Sequence, residues 1–239
     1  MDFNEEYLRK KGLTKEEIEK SILLYNIAKE ISSKNMVLKG GTSLLLGYGL
    51  NRWSKDLDFD TTGNKRYKND FLKAFKNQGL KYGDIHETEI DTRIINTILY
   101  DKTKSIKLEV EYNSKYFQEG NNIVNRNGVF MYDIKTLSQM KYEMLMDHKR
   151  AHDIFDTAFL IHHFPKNYKE WMLYNIKNRI DKLGIDNIKK SFKMDEVVKR
   201  FNTGKIIDDL SNDINKLLIR YEKNKLSYSN GNNGNGGGR

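Results

Sequence analysis

The sequence predicts an α+β protein: a mixed sheet with flanking helices in the first half and an all-helical bundle in the second. Three observations carry this. Polar/apolar alternation at period two is confined to the segment before about residue 113. Apolar spacing of three and four dominates after about residue 133. Hydrophobic residues make up 38% and aromatics 11% of 239 positions, enough to bury a core. At roughly 150 residues per domain, that length suits one large or two small domains.

Taken in order, the first forty residues read as helical. Thr14 followed by Glu17 is a capping-box signature. Ile18, Ile22 and Tyr25, with Leu24, Ala28 and Ile31, recur at helical spacing. Met36-Val37-Leu38 is a short apolar run that leads into Lys39-Gly40-Gly41-Thr42-Ser43. Leu44-Leu45-Leu46 then suits a short buried helix ending near Gly47 and Gly49. Lys55-Asp56-Leu57-Asp58-Phe59-Asp60 alternates strictly and reads as a strand. Residues 65–78 suit a surface helix. Two further strand-like runs, 93–100 and 105–112, flank a turn at Asp101-Lys102-Thr103-Lys104.

Beyond that point Leu137, Met140, Met144 and Leu145 have helical spacing, as do Ile154, Ala158 and Ile161, up to Pro165. Residues 167–225 suit two or three more helices, with Gly184 and Gly204 as breaks. The expected domains are therefore 1–132, mixed, and 133–226, helical. A Ser/Asn/Gly-rich tail over 227–239 is expected to be disordered. A cleft between two such halves is a common place for a ligand.

Composition excludes several chemistries. There is no cysteine, hence no disulfide, Cys-ligated zinc or Cys nucleophile. No apolar run approaches the roughly 18 residues of a membrane span. The opening Met-Asp-Phe-Asn-Glu-Glu lacks the basic and apolar regions of a signal peptide. A soluble, cytoplasmic protein with no membrane partner is the expectation. The net charge of +9 favours a polyanionic partner, although a lysine-rich surface also serves solubility alone.

Asp56 and Asp58 lie two apart, so a strand would point both to one face, and Asp60 continues it. Paired carboxylates repel unless a cation lies between them, and Mg²⁺ prefers such hard oxygen ligands. A bare D-x-D motif also occurs as solvated acids on an edge strand. Two features favour the metal. Gly40-Gly41-Thr42-Ser43 joins a strand to a helix N-terminus, where backbone N–H groups suit phosphate. Lys107, Glu109 and Glu111 alternate with Ile106, Leu108 and Val110, offering a third carboxylate on a neighbouring strand. Together these make a coherent two-metal site.

This order of motifs resembles the DNA polymerase β-type nucleotidyltransferase superfamily. The segments Leu38-Lys39-Gly40-Gly41-Thr42-Ser43-Leu44, Tyr48-Gly49-Leu50-Asn51-Arg52 and Ser54-Lys55-Asp56-Leu57-Asp58-Phe59 resemble, more particularly, the AbiEii/MenT toxin nucleotidyltransferases. So do Leu137-Ser138-Gln139-Met140-Lys141 and Asp153-Ile154-Phe155-Asp156. The resemblance covers residues 20–163. It departs at His148 and His152, where arginines are usual in that family.

The resemblance implies a Mg²⁺- (or Mn²⁺-) dependent transfer of NMP from an NTP to an RNA acceptor such as the tRNA 3′ end, and a cognate antitoxin. Asp56, Asp58 and Glu109, with Glu111 as the alternative, would bind metal and act catalytically. Gly40, Gly41, Thr42 and Ser43 would cradle phosphates through N–H groups and hydroxyls. Lys141 would bind nucleotide phosphate, with Asp153 orienting it or a substrate hydroxyl. Alone, a helical lysine is usually solvated, and Asp153 and Asp156 would serve as salt-bridge partners of Lys149 or Arg150.

Two rival readings remain. A small-molecule nucleotidyltransferase of the aminoglycoside-modifying kind would need an acidic pocket, for which Glu87, Glu89, Asp91 and Glu143 are candidates. A non-catalytic nucleotide- or RNA-binding module would have no need of the paired acids. His162 and His163 read as helix-end residues, and Trp171 as core.

Overall fold

The alternating segments pair into a single sheet, and the register of that sheet decides which charged side chains meet. The computed structural model describes residues 3–63, 67–100, 104–117, 121–148 and 150–231, with backbone alone over 226–231. It divides into two units, Met1–Leu137 and Ser138–Arg239.

The first unit opens with α1 (Glu5–Lys10) and α2 (Lys15–Ile31). The capping box at α2 is formed: Thr14 Oγ1 accepts from the Glu17 N–H at 3.3 Å, and Glu17 Oε2 accepts from the Thr14 N–H at 2.9 Å. There follow β1 (Met36–Lys39), α3 (Gly40–Tyr48), β2 (Leu57–Thr61), α4 (Lys68–Asn77), β3 (Tyr82–Ile90), β4 (Arg93–Tyr100), β5 (Lys104–Tyr112), β6 (Ile123–Arg126) and β7 (Val129–Tyr132). The seven strands run in the order β3-β4-β5-β2-β1-β7-β6. β1 lies antiparallel to β2 and parallel to β7, while β2 lies parallel to β5.

Alternation sorts the sheet's residues. Leu38, Leu57, Phe59, Ile106 and Leu108 are fully buried on one face, with Val110 nearly so. Lys39, Asp58, Asp60, Glu109 and Glu111 share the other, because directly paired residues point the same way. α3 ends at Gly49, whose φ of +80° forms the left-handed cap that a glycine takes most easily.

The division between units falls within α5 (Ile134–Asp147). The second unit continues with α6 (Ala151–His163), a 3-10 turn at Pro165–Asn167, α7 (Glu170–Leu183), α8 (Ile185–Met194) and α9 (Thr203–Gly231). α9 packs along α6, α7 and α8, burying Ile207, Leu210, Ile214 and Leu218. Among the described residues no helix is long and apolar enough to cross a membrane.

Several expectations need correction. The sequence pattern predicts no strand where β3, β6 and β7 form. β3 carries Glu87, Glu89 and mostly exposed positions, so it lacks the apolar alternation that marks a half-buried strand. Gly184 does separate α7 from α8, with φ +74°, but Gly204 lies inside the first turn of α9. The helical run is interrupted before it, by turns over 195–202. β4 and β5 pair antiparallel as a hairpin; Asp101, Lys102 and Thr103 of its turn lie outside the described residues. So do 232–239 of the tail and Lys149. Trp171 is not core: it is 50% exposed, edge-on to Tyr142.

Candidate active site

The turn from β1 into α3 is built against the strand that carries the paired acids. Gly40 has φ +74°, and a Cβ there would lie 2.7 Å from Asp58 Oδ2. Only glycine meets both conditions without strain. A Cβ on Gly41 would lie 2.6 Å from Arg52 Nη2. Arg52 is buried, and its Nη1 donates to the Trp53 carbonyl at 2.8 Å. Thr42 Oγ1 donates to the Asp56 carbonyl at 2.5 Å, tying the helix to the start of β2. Ser43 Oγ donates to the Gly40 carbonyl at 2.8 Å.

Both hydroxyls are thus buried and bonded within the fold. A phosphate held by the Thr42 and Ser43 hydroxyls would have to compete with these backbone carbonyls for their protons. What this turn offers an anion is backbone N–H groups at a helix N-terminus, where Lys39 supplies no side-chain cap.

The acids meet through register. Asp58 pairs with Glu109, and Asp60 with Glu111, across the parallel β2–β5 ladder. Asp56 precedes β2 by one residue, on the phase of Asp58. The Lys107 ammonium lies among them, 3.5 Å from Asp56 Oδ2 and 3.3 Å from Glu109 Oε2. The other Glu109 oxygen, Oε1, is 3.6 Å from Arg93 Nη1. Burial pushes the Asp58 carboxyl up to about 6; Lys107 opposes this, while Glu109 and Asp56 add to it. Burial also works against the Lys107 charge, but Asp58, Asp56 and Glu109 outweigh it and hold the ammonium above its ordinary range. Among the described residues, no group of three His, Asp or Glu stands arranged to hold a metal ion. The lysine occupies the middle of the cluster instead.

Two residues further along the same strands is a second cell. Lys39 is 2.5 Å from Asp60 Oδ1 and pairs closely with Glu111. The Tyr132 hydroxyl donates to Asp60 Oδ2 at 2.8 Å. Asp60 is fully buried. Burial works against the Lys39 ammonium, but Asp60 and Glu111 outweigh it and raise its pKa. Glu111 is therefore committed to Lys39, which leaves Glu109 as the acid that faces Asp58.

In the second unit, Lys141 on α5 is buried between two carboxylates of α6, 2.9 Å from Asp153 Oδ1 and 2.7 Å from Asp156 Oδ2. Arg150 Nε adds a contact of 2.7 Å to Asp153 Oδ2. Burial alone would raise the Asp153 carboxyl, but Lys141, His152 and Arg150 hold it below the usual range. His152 Nδ1 lies 2.6 Å from Asp195 Oδ2. His162 and His163 close α6, with His162 Nδ1 2.8 Å from Asp213. A phosphate-binding role for Lys141 would have to compete with this buried ion triad.

Sequence reasoning brought forward the acids and the glycine turn, but no roles for Lys39, Lys107, Arg52 or Tyr132. The available signal was phase: Lys107 is two residues before Glu109, and Lys39 adjoins Gly40. Which carboxylate each lysine meets depends on strand order. Of the acids named for a cationic substrate, Glu87 and Glu89 lie on β3, Asp91 in the turn that follows it, and Glu143 on α5 in the second unit. β3 is separated from β5 by β4, and Glu89 accepts from the Tyr112 hydroxyl at 3.2 Å near the Asp91 turn.

Comparison with known proteins bears on the whole arrangement. The family model for the nucleotidyl transferase AbiEii toxin, of the type IV TA system, matches residues 22–190. The fold is similar to that of JHP933 from Helicobacter pylori, at TM-score 0.73 and 24% identity, over 91% of this chain and 98% of that one. It is similar also to an H. pylori protein described as a candidate nucleotidyltransferase, at TM-score 0.71 and 25% identity, over 88% and 98%. No curated protein matches.

Proposed function

The chain belongs to the AbiEii family of nucleotidyltransferase toxins, and on that premise we propose that it transfers an NMP from an NTP to an RNA hydroxyl, with the tRNA 3′ end as acceptor. The observation that carries this reading is the register pairing of Asp58 with Glu109 beside the Gly40 turn. The proposed partners are an NTP, tRNA and a cognate antitoxin.

The carboxylates Asp56, Asp58 and Glu109 suit one or two Mg²⁺ or Mn²⁺ ions by chemistry: they are hard oxygen donors, and the position among them already attracts a cation. When bound, the metal would neutralise charge on the triphosphate and on the attacking oxygen. Asp56 and Asp58 would hold it, and Glu109 would complete the set or accept the proton of the attacking hydroxyl. Gly40 and Gly41 would present N–H groups to the β/γ-phosphates. The acceptor oxygen would bond to the α-phosphorus as the bond to pyrophosphate breaks. Positioning and charge neutralisation supply most of the rate in such a displacement. Within the helical unit, Asp153 would orient Lys141 toward its nucleotide-binding role.

The net charge of +9 supports an RNA acceptor rather than a small cationic one. The test is a transfer assay with Mg²⁺, total tRNA and each labelled NTP in turn, with an Asp56→Ala/Asp58→Ala variant alongside. Label entering tRNA only with intact acids, and falling steeply as salt rises, is the expected result. Label that enters small aminated acceptors but not RNA would transfer the reading to the small-molecule class.

A further inference from the structure

We infer that Lys107 is a built-in counter-cation of the acidic cluster, holding the metal's place in the metal-free protein and competing with it for Asp56 and Glu109. This rests on the preceding assignment of those acids as metal ligands. Three observations support it. The ammonium lies between acids from two structural segments, 3.5 Å from Asp56 and 3.3 Å from Glu109. It is a third exposed, as is Asp56, so its flexible stem has a way out toward solvent. Its contacts are longer than that of Lys39 with Asp60, which is sealed at 2.5 Å. Lys107 is therefore a replaceable partner, where Lys39 is a fixed one.

The charge arithmetic gives the lysine a purpose. Apart from Lys107, the cations acting on Asp58 and Glu109 among the described residues include Lys39, which is engaged by Asp60 and Glu111, and the half-exposed Arg93, 3.6 Å from Glu109 Oε1. Lys107 offsets the repulsion among the acids while the site awaits its ion. A divalent cation that takes Asp56 and Glu109 must displace the ammonium from Asp56 Oδ2 and Glu109 Oε2. Metal alone then binds more weakly than three carboxylates would allow.

The test measures Mn²⁺ binding by electron paramagnetic resonance, with no nucleotide present, on the full chain. Wild type is compared with Lys107→Met, Lys107→Arg and Asp58→Asn, each checked for fold by circular dichroism. The expected result is Mn²⁺ affinity roughly threefold to tenfold tighter in Lys107→Met, near wild type in Lys107→Arg, and lost in Asp58→Asn. Lys107→Gln replaces Lys107→Met if the latter does not fold. Unchanged or weaker binding in Lys107→Met, with Asp58→Asn still abolishing it, would overturn the role of Lys107 and leave the metal site standing. Absence of any Asp58-dependent Mn²⁺ binding in every variant would overturn both.

Discussion

Two lysines serve the acids of one sheet face in opposite ways. Lys39 is largely enclosed and pairs with the fully buried Asp60, with Glu111 and Tyr132 completing the cell. Lys107, two residues away in register, meets Asp56 and Glu109 at longer range with its side chain a third exposed. The first cell cannot be opened without stranding a buried charge, so it clamps β1, β2 and β5 together. The second can lose its cation to another cation. One sheet face thus holds both a permanent ion pair and an exchangeable one, and it is Asp58, beside the exchangeable one, that lies against Gly40.

The largest expected effect falls on chemistry. Asp58→Asn should lower transfer by about a hundredfold or more, while urea denaturation reports a folded chain. Lys39→Met should cost about 3–5 kcal/mol, because Asp60 is left buried without its cation. Pairing it with Asp60→Asn should recover much of that loss in the same denaturation measurement.

A smaller effect lies in pH. Asp58 keeps its proton to about pH 6 in the folded chain, against 3.8 as its ordinary value. The folded state then binds more protons than the unfolded one between those values. Metal-free stability should therefore fall as pH rises through that window, by at most about 3 kcal/mol. Denaturation in chelator across pH 4–7 should show this slope, and Asp58→Asn should flatten it.

Gly40→Ala should cost about 1–3 kcal/mol through its positive φ. It should also depress transfer further than that, because the new methyl displaces the Asp58 carboxylate. The smallest effect is Lys107→Met in chelator, within about 1 kcal/mol of wild type. A loss as large as that of Lys39→Met would erase the distinction between the two cells.

Much of the fold was legible because its signals are local. The Thr14–Glu17 box marks the start of α2, and alternation marks β2, β4 and β5. β3 was hidden by its exposed, charged composition at the sheet edge, and β6 and β7 by being four residues each. The acids of the candidate site could be picked out by their period of two. Their partners could not. The assignment of Glu111 to Lys39 and of Glu109 to Lys107 depends on β5 lying beside β2 and β2 beside β1, an order that skips along the chain. Arg52 was visible only as part of a motif. Its packing against Gly41 shows why a side chain there would not fit.

The most direct test of the account sets Glu109→Gln against Glu111→Gln, measuring both transfer rate and unfolding free energy. The account predicts that Glu109→Gln loses transfer by orders of magnitude with little change in stability. It predicts that Glu111→Gln keeps most of its transfer rate and loses stability through the Lys39 cell. The reverse pattern, with Glu111→Gln inactive and Glu109→Gln active, would contradict the assignment of the catalytic centre to the Lys107 cell.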